Sequence, residues 1–122
     1  MQRFASRTSR SALHVDEDVG YIVGGPADHV LFQLPGPAAC GSVSDDGTHV
    51  AYVPLGCPTR LYLLRHQGGT AWTCHILIHD LRICSAHWEE EGAFHTLRIE
   101  DECGLSWRGS WDGQWRLTRM DA

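Results

Sequence analysis

Turn signals recur along this chain at short, nearly even intervals, and they constrain its fold more than any other feature. The segments GG, PGP, DDG, QGG, EEEG and WDG separate short runs rich in Val, Ile, Leu, Tyr, Trp and Thr, at about the 8 to 12 residues typical of an all-β domain. Apolar residues do not keep helical spacing over any long window. We therefore predict an all-β antiparallel meander with strands at 20–23, 28–34, 48–53, 60–67, 70–79, 81–88, 93–100, 104–111 and 115–120.

The segment RLYLLRHQGGTAWTCHILI allows a test of register, because a slip of one residue moves every side chain to the other face of a sheet. A two-residue turn at Gly68 and Gly69 permits the positive φ that tight hairpins require. Such a turn places Leu63 opposite Cys74. One face is then predicted to carry Leu61, Leu63, Trp72, Cys74, Ile76 and Ile78.

Residues 84 to 119 indicate a four-stranded meander with an aromatic face. A three-residue loop that begins at Asp112 places Trp111 opposite Trp115 and Gly109 opposite Leu117. Two earlier loops would bring Trp88 beside Ala93, Leu97 opposite Trp107 and Ile99 opposite Leu105. We expect most of the tryptophans to lie in the core, while one or two could line a binding groove; the candidate binding tryptophans are Trp72, Trp88, Trp111 and Trp115.

Turn landmarks repeat at a nearly constant spacing. Gly47 aligns with Gly92 and Gly68 with Gly113, each pair 45 positions apart. The sequence here resembles the blade repeats of β-propellers of the WD-repeat kind, over about two and a half units. Propellers contain about four to eight blades, so the resemblance implies blades completed by self-association into a homo-oligomer. The alternative, which we favour, is a single small sandwich or barrel in which strands of similar length produce the same regular spacing of turns.

Composition limits the classes to which the chain could belong. The formal charge is −5, which does not give the basic footprint of a nucleic-acid-binding domain. All ten basic residues are Arg, a usage typical of GC-rich genomes that suggests a bacterial source. No apolar run is long enough to span a bilayer. We expect no membrane partner and a cytoplasmic protein.

The N-terminal segment and the cysteines support the same interpretation. Residues 1–18 are predicted to form a flexible tail before a single β domain over residues 19–122, because chain termini are often disordered. Five cysteines without close pairs are unlike a secreted disulfide scaffold. We expect them to be reduced and mostly buried.

Eight histidines raise the possibility of a metal site, above all in TCHILIHD. On a helix, His75 and His79 would share a face and bind zinc. On a strand they lie about 13 Å apart at ~3.3 Å per residue, too far to share one ion. A site formed across strands stays open, but we predict no cofactor and no catalytic residue.

Acidic residues cluster in predicted turns, in DEDVG, SDDG, HWEEEG and IEDECG. If these turns gather at one edge, they form a negative patch that favours a basic protein partner. We therefore predict a non-enzymatic protein-binding module; the alternatives are a small-ligand or metal-binding barrel, possibly enzymatic, and the self-assembling propeller unit. The candidate acidic binding residues are Asp45, Asp46, Glu89, Glu90 and Glu91.

Overall fold

The computed structural model describes most of the chain, and every regular element in it is a β-strand. The described residues are 2–6, 10–16, 18–24, 29–45, 47–66, 72–91, 94–111 and 114–120. Within these ranges no helix is long and apolar enough to cross a membrane. The twelve strands are β1 (Gln2–Ala5), β2 (Ser11–Val15), β3 (Gly20–Gly24), β4 (His29–Gln33), β5 (Ala38–Val43), β6 (His49–Pro54), β7 (Arg60–His66), β8 (Trp72–Ile78), β9 (Ile83–Glu91), β10 (Phe94–Asp101), β11 (Ser106–Trp111) and β12 (Trp115–Arg119).

The strands form three four-stranded antiparallel meanders in chain order. The first sheet contains β1 to β4, the middle sheet β5 to β8, and the third sheet β9 to β12. The predicted all-β antiparallel meander is thus confirmed, although none of the described sheets closes into a barrel. Each sheet has the strand number and order of a propeller blade. β6 and β10, the second strands of the middle and third sheets, begin 45 positions apart. This separation equals the spacing of the repeated glycines in the sequence.

Nine of the twelve strands lie where the turn signals predict them, and three were missed. The predicted flexible tail over residues 1–18 does not hold for the described residues, because β1 and β2 pair with each other there and Ala12 and Leu13 are fully buried. The Arg and Ser residues of this segment gave no strand signal in the sequence, and the two strands are stabilised by pairing within the sheet. The third missed strand, β5, is composed of Ala, Cys, Gly and Ser with one Val, residues with little intrinsic preference for strands.

The middle sheet buries apolar side chains on both of its faces. On one face Val50, Tyr52 and Leu64 pack against the first sheet, in a cluster that includes Leu13 and Ile22. On the opposite face, β6 and β7 pack against the third sheet with a second set of side chains: Ala51, Val53, Leu61 and Leu63. Successive residues of a strand point to opposite faces, so a strand buried on both sides must be apolar at every position. The four central residues of β6, Val50 to Val53, meet that requirement.

Close approach of the first and middle sheets depends on Gly41 in β5. A Cβ atom at this position would lie 2.5 Å from Cδ2 of Leu13 and 2.6 Å from the backbone oxygen of Ala51. The Leu13 side chain could move, but the Ala51 carbonyl belongs to the neighbouring strand and is fixed by the sheet. Any residue larger than glycine therefore forces β5 away from β6 or from the first sheet.

We predict that Gly41→Ala lowers the free energy of unfolding by about 1–3 kcal/mol, the usual cost of overpacking a core. The matched control is Gly56→Ala, because a Cβ at Gly56 meets nothing within 4 Å; this variant should stay within about 0.5 kcal/mol of the wild type. Urea denaturation of both variants measures the difference. Equal stability of the two variants would show that the sheets do not approach as closely as described.

The register of β7 and β8 differs by one residue from the prediction. Leu64, not Leu63, is the partner of Cys74, and Tyr62 is the partner of Ile76. The connection between the strands is longer than the two glycines, since His66 pairs with Trp72. Leu61 and Leu63 consequently share a face with Leu77, while Cys74, Ile76 and Ile78 point to the other side. The predicted common face of all six residues is wrong.

The third sheet keeps the predicted pairs at its last hairpin and shifts the others. Trp111 pairs with Trp115 and Gly109 with Leu117, as predicted. Ile99 and not Leu97 pairs with Trp107, and Trp88 pairs with Leu97 instead of Ala93. These shifts are even-numbered, so the apolar residues still share one face. The aromatic face is present even though two loop lengths were misjudged.

Asp101 organises the loop between β10 and β11. Its Oδ1 accepts hydrogen bonds from the backbone amides of Cys103 and Leu105 at 3.0 and 3.1 Å, and its Oδ2 accepts from Nε1 of Trp107 at 2.9 Å and from Nε2 of His79 at 3.1 Å. Burial raises the pKa of the Asp101 carboxyl, but the donated hydrogen bonds outweigh burial and lower this pKa from 3.8 to about 2. The ionised form of the Asp101 carboxylate therefore stabilises the folded protein.

This lowered pKa predicts the direction of acid sensitivity. The Asp101 carboxyl binds a proton more readily in the unfolded chain than in the folded protein. The ionised Asp101 therefore stabilises the fold fully above the ordinary pKa of 3.8, and this stabilisation is lost as the pH falls towards about 2. Asp101→Asn should lower the midpoint of thermal unfolding at neutral pH and flatten its decline over that acid range. Asp18→Asn, at an exposed carboxylate, should do neither; the same pH profile for both variants would contradict this role of Asp101.

Candidate functional site

The nine predicted binding positions fall towards one end of the three sheets, apart from Asp46, which lies outside the described residues. We call this the hairpin end: β1, β5 and β9 run towards it, and β2, β6 and β10 lead away from it. Two hydrogen bonds between sheets show that these ends coincide: Oγ of Ser6 donates to Oδ1 of Asp45 at 2.5 Å, and the amide of Trp88 donates to Oγ of Ser42 at 3.1 Å. The alternation of an antiparallel meander then brings the start of β8 and the junction of β11 and β12 to the same end.

Trp88 and Trp115, both of the third sheet, form an aromatic contact on the face of that sheet that packs against the middle sheet. Their ring centroids lie 5.8 Å apart at a tilt of 60°, within the range of favourable aromatic pairs. The ring of His49 meets Trp88 edge-on at 5.4 Å. Trp88 is only 6% exposed, whereas Trp115 is half-buried. Trp88 is thus a core residue, and Trp115 is the tryptophan whose ring a partner could reach.

The other two tryptophans are placed by their strands. Trp111 is the last residue of β11 and the backbone partner of Trp115. Trp72 is the first residue of β8 and the partner of His66. Both positions are therefore at the hairpin end, in the middle and third sheets.

Asp45 joins the first sheet to the middle sheet. Its carboxylate accepts the hydrogen bond from Ser6, and its backbone oxygen accepts one from Oγ of Ser11 at 3.1 Å. Ser44 closes the same turn, because its Oγ accepts from the amide of His49 at 3.0 Å. Asp45 lies in a turn as predicted, and it holds neighbouring sheets together as well as contributing a negative charge.

Glu89, Glu90 and Glu91 were predicted to lie in a loop, but they form the last three residues of β9. Glu89 lies on the outer face of the third sheet, where its Oε1 is 3.7 Å from Nη1 of Arg98 and 3.9 Å from Nε2 of His87. The backbones of Glu90 and Glu91 pair with His95 and Phe94. The hairpin of β9 and β10 therefore concentrates three acidic residues at its tip, one of them beside an arginine.

The four acidic segments do not gather at one edge. Asp45 of SDDG and the glutamates of HWEEEG lie at the hairpin end, but Asp16 and Asp18 of DEDVG follow β2, and IEDECG spans the end of β10 and the loop after it, at the opposite end. Asp101 of the last segment is buried in its hydrogen-bond network. The acidic patch expected from the sequence is thus limited to Asp45 and the glutamates of HWEEEG.

The histidines and cysteines are dispersed in the described parts of the chain. No group of three or more His, Cys, Asp or Glu side chains there could hold a metal ion. His79 follows β8 and bonds to Asp101. The cysteines are free, and the expectation that most are buried is wrong: Cys74, Cys84 and Cys103 are exposed, and burial raises the pKa of the Cys40 thiol to about 11, with a smaller contribution from Cys84.

Sequence reasoning missed three residues that shape the hairpin end. His49 packs on Trp88, Ser42 accepts the Trp88 amide, and Arg98 lies beside Glu89. Two of these contacts join residues of different sheets, and the third joins neighbouring strands whose pairing differs from the predicted one. No local pattern signals such contacts. A correct β9 to β10 register would have placed Arg98 near Glu89.

No protein-family description matches this chain, and no curated protein is significantly similar to it. Its function must therefore be inferred from its own residues.

Unequal burial predicts different roles for the two contacting tryptophans. Trp88→Ala should lower the free energy of unfolding by about 3–5 kcal/mol, as for other buried aromatic side chains. Trp115→Ala should cost roughly half of that or less, since less apolar area is lost. Urea denaturation followed by far-ultraviolet circular dichroism measures both values. Equal losses would contradict the division into a core residue and an accessible one.

Proposed function

We propose that this protein is a non-catalytic binding module that receives a basic segment of a partner protein at its hairpin end. The observation that carries the proposal is the convergence of the predicted acidic and aromatic positions at that end of the middle and third sheets. Trp115, whose ring is half-buried, belongs to the same sheet as the acidic tip of β9 and β10. Carboxylates and an accessible indole ring at one end of a domain suit a guanidinium or ammonium group.

Two physical effects support a basic partner. Carboxylates attract a cationic segment over about a Debye length of ~10 Å at moderate salt, which speeds encounter. The face of a tryptophan ring then attracts the cation directly at short range. The net charge of −5 acts in the same direction for the whole domain.

The alternative of a closed ring of copies is less well supported by the surface of the third sheet. Its outer face carries a row of paired positions, His87, Arg98, Arg108 and Thr118, flanked by Glu89. Both interfaces inside the described stack are apolar. A further sheet stacked on this outer face would have to bury charged groups at a large desolvation cost. The small-ligand or metal-binding alternative remains a prediction that elemental analysis and ligand titration can test.

The proposal predicts salt-sensitive binding of an arginine-rich peptide, measured by fluorescence anisotropy with a labelled deca-arginine probe. The double substitution Glu90→Gln and Glu91→Gln should weaken binding about three- to tenfold, because each exposed ion pair contributes up to ~1 kcal/mol. Trp115→Ala should also weaken it. Higher salt should weaken binding to the wild type more than binding to the double variant.

The matched control removes the same number of charges at the opposite end, through Asp16→Asn and Asp18→Asn. Both residues are exposed and lie after β2, away from the hairpin end. This control should bind nearly as well as the wild type. An equal loss in both double variants would reduce the effect to net charge, and no measurable binding by the wild type would contradict the proposed function.

A further inference from the structure

The outer face of the third sheet brings two arginines of neighbouring strands together. Arg98 of β10 and Arg108 of β11 are direct backbone partners, so their side chains leave the same face with Cβ atoms ~5 Å apart. This is the outer face, because Leu97 and Ile99 on either side of Arg98 are buried against the middle sheet. Like charges directly opposite each other destabilise a sheet. A bound anion would remove that cost.

Arg98 is positioned by its neighbours without a close ion pair. Its Nη1 lies 3.7 Å from Oε1 of Glu89, and its Nη2 donates to Oγ of Ser106 at 3.5 Å. A guanidinium group bound to an oxyanion makes hydrogen bonds of about 2.7–2.9 Å, so both contacts are weaker than those an anionic ligand would form. The Nε atom of Arg98 is buried, whereas Arg108 is exposed. One arginine is thus held by the sheet, and the other can move onto a ligand.

Neutral hydrogen-bond donors surround the arginine pair. Thr118 of β12 is the backbone partner of Arg108. Ser106 and Ser110 flank Arg108 along β11 on the same face. Hydroxyl and guanidinium groups all donate hydrogen bonds. The centre of this face therefore offers several donors around two positive charges, which suits an oxyanion.

Acidic residues limit the cationic area to about the size of one phosphate group. Glu100 follows Arg98 by two residues on the same face of β10, about 7 Å away at ~3.4 Å per residue. Glu89 bounds the area on the side of β9. A nucleic-acid strand would place further phosphates over these carboxylates, on a chain with a net charge of −5. A single phosphate monoester, with about two negative charges, matches two arginines.

The openness of the face indicates where the phosphate group comes from. Small-molecule sites are concave and bury most of their ligand, whereas Arg108, Ser110 and Thr118 are exposed on the sheet. A phosphate group bound there needs further contacts from the molecule that carries it. An extended peptide supplies them, because it can cross several strands and accept hydrogen bonds from their hydroxyl groups.

We propose that Arg98 and Arg108 bind the phosphate group of a phosphorylated serine or threonine in a partner protein, whose segment lies over the outer face of the third sheet. Both guanidinium groups donate to the phosphate oxygens, and the neighbouring hydroxyl groups bind the peptide around them. This site is in the middle of β10 and β11, while the site proposed for a basic segment is at the hairpin end. The two sites take ligands of opposite charge.

Fluorescence anisotropy with a labelled peptide, Gly-Gly-phosphoserine-Gly-Gly, tests the proposal against the same peptide with serine or glutamate at the centre. We expect saturable binding of the phosphorylated peptide, at least tenfold tighter than that of either comparison peptide. Arg108→Gln should weaken this binding about tenfold, equivalent to ~1.4 kcal/mol. The matched control, Arg60→Gln, removes the charge of an exposed arginine in the middle sheet and should change the affinity less than twofold.

Backbone amide shifts in nuclear magnetic resonance spectra of the wild type locate the site without a variant. The phosphorylated peptide should shift the amides around Arg98 and Arg108 most. Shifts centred elsewhere, equal binding of the phosphorylated and unphosphorylated peptides, or equal losses in the two glutamine variants would each overturn the proposal. Inorganic phosphate that binds as tightly as the peptide would assign the site to a small anion, and tighter binding of a single-stranded oligonucleotide to the same amides would assign it to nucleic acid. Either result would contradict the proposal.

The binding of deca-arginine separates this proposal from the proposed function. Arg108→Gln should not weaken deca-arginine binding, because the substitution removes a charge that repels that probe. The double substitution Glu90→Gln and Glu91→Gln should not weaken binding of the phosphorylated peptide, for the corresponding reason. The two proposals can therefore fail independently.

Discussion

Burial of the middle sheet on both faces is the constraint on which the rest of the structure depends. β6 and β7 supply one row of apolar side chains to the first sheet and the alternate row to the third. Neither outer sheet has a comparable second partner among the described residues, so each relies on the middle sheet to cover its apolar face. Gly41 permits the contact on one side, and Trp88, with its amide bound to Ser42, contributes to the contact on the other.

The same stacking organises the surface. Inner interfaces take the apolar residues, which leaves His87, Arg98 and Glu89 on the outer face of the third sheet. Antiparallel alternation separates the hairpin end, with its carboxylates and tryptophans, from the opposite end, where Asp101 is committed to a buried network. The proposed binding site thus lies at the end of the sheets opposite to the Asp101 network.

Periodicity and turn signals predicted the fold class and nine strands, because both are local properties of the chain. They missed β1 and β2, which are polar in sequence and form strands because they pair with each other. They also missed β5, where the close approach of the neighbouring strand and sheet at Gly41 leaves no room for a side chain. The predicted register of β7 and β8 was wrong because the register depends on the length of the connection between the two strands, which the sequence does not specify. The candidate binding tryptophans were proposed from their residue type alone. Contacts such as that of His49 with Trp88 join different sheets and carry no local signal.

Native-state amide hydrogen exchange of β6 tests the central claim most directly. If the middle sheet is the shared core, the amides of Val50 to Val53 should exchange only through global unfolding, with a free energy equal to that from denaturant titration. Amides of β12 should open at lower free energy, because β12 is an edge strand. Exchange of the β6 amides as fast as those of β12 would show that the middle sheet is not the element that holds the other two together.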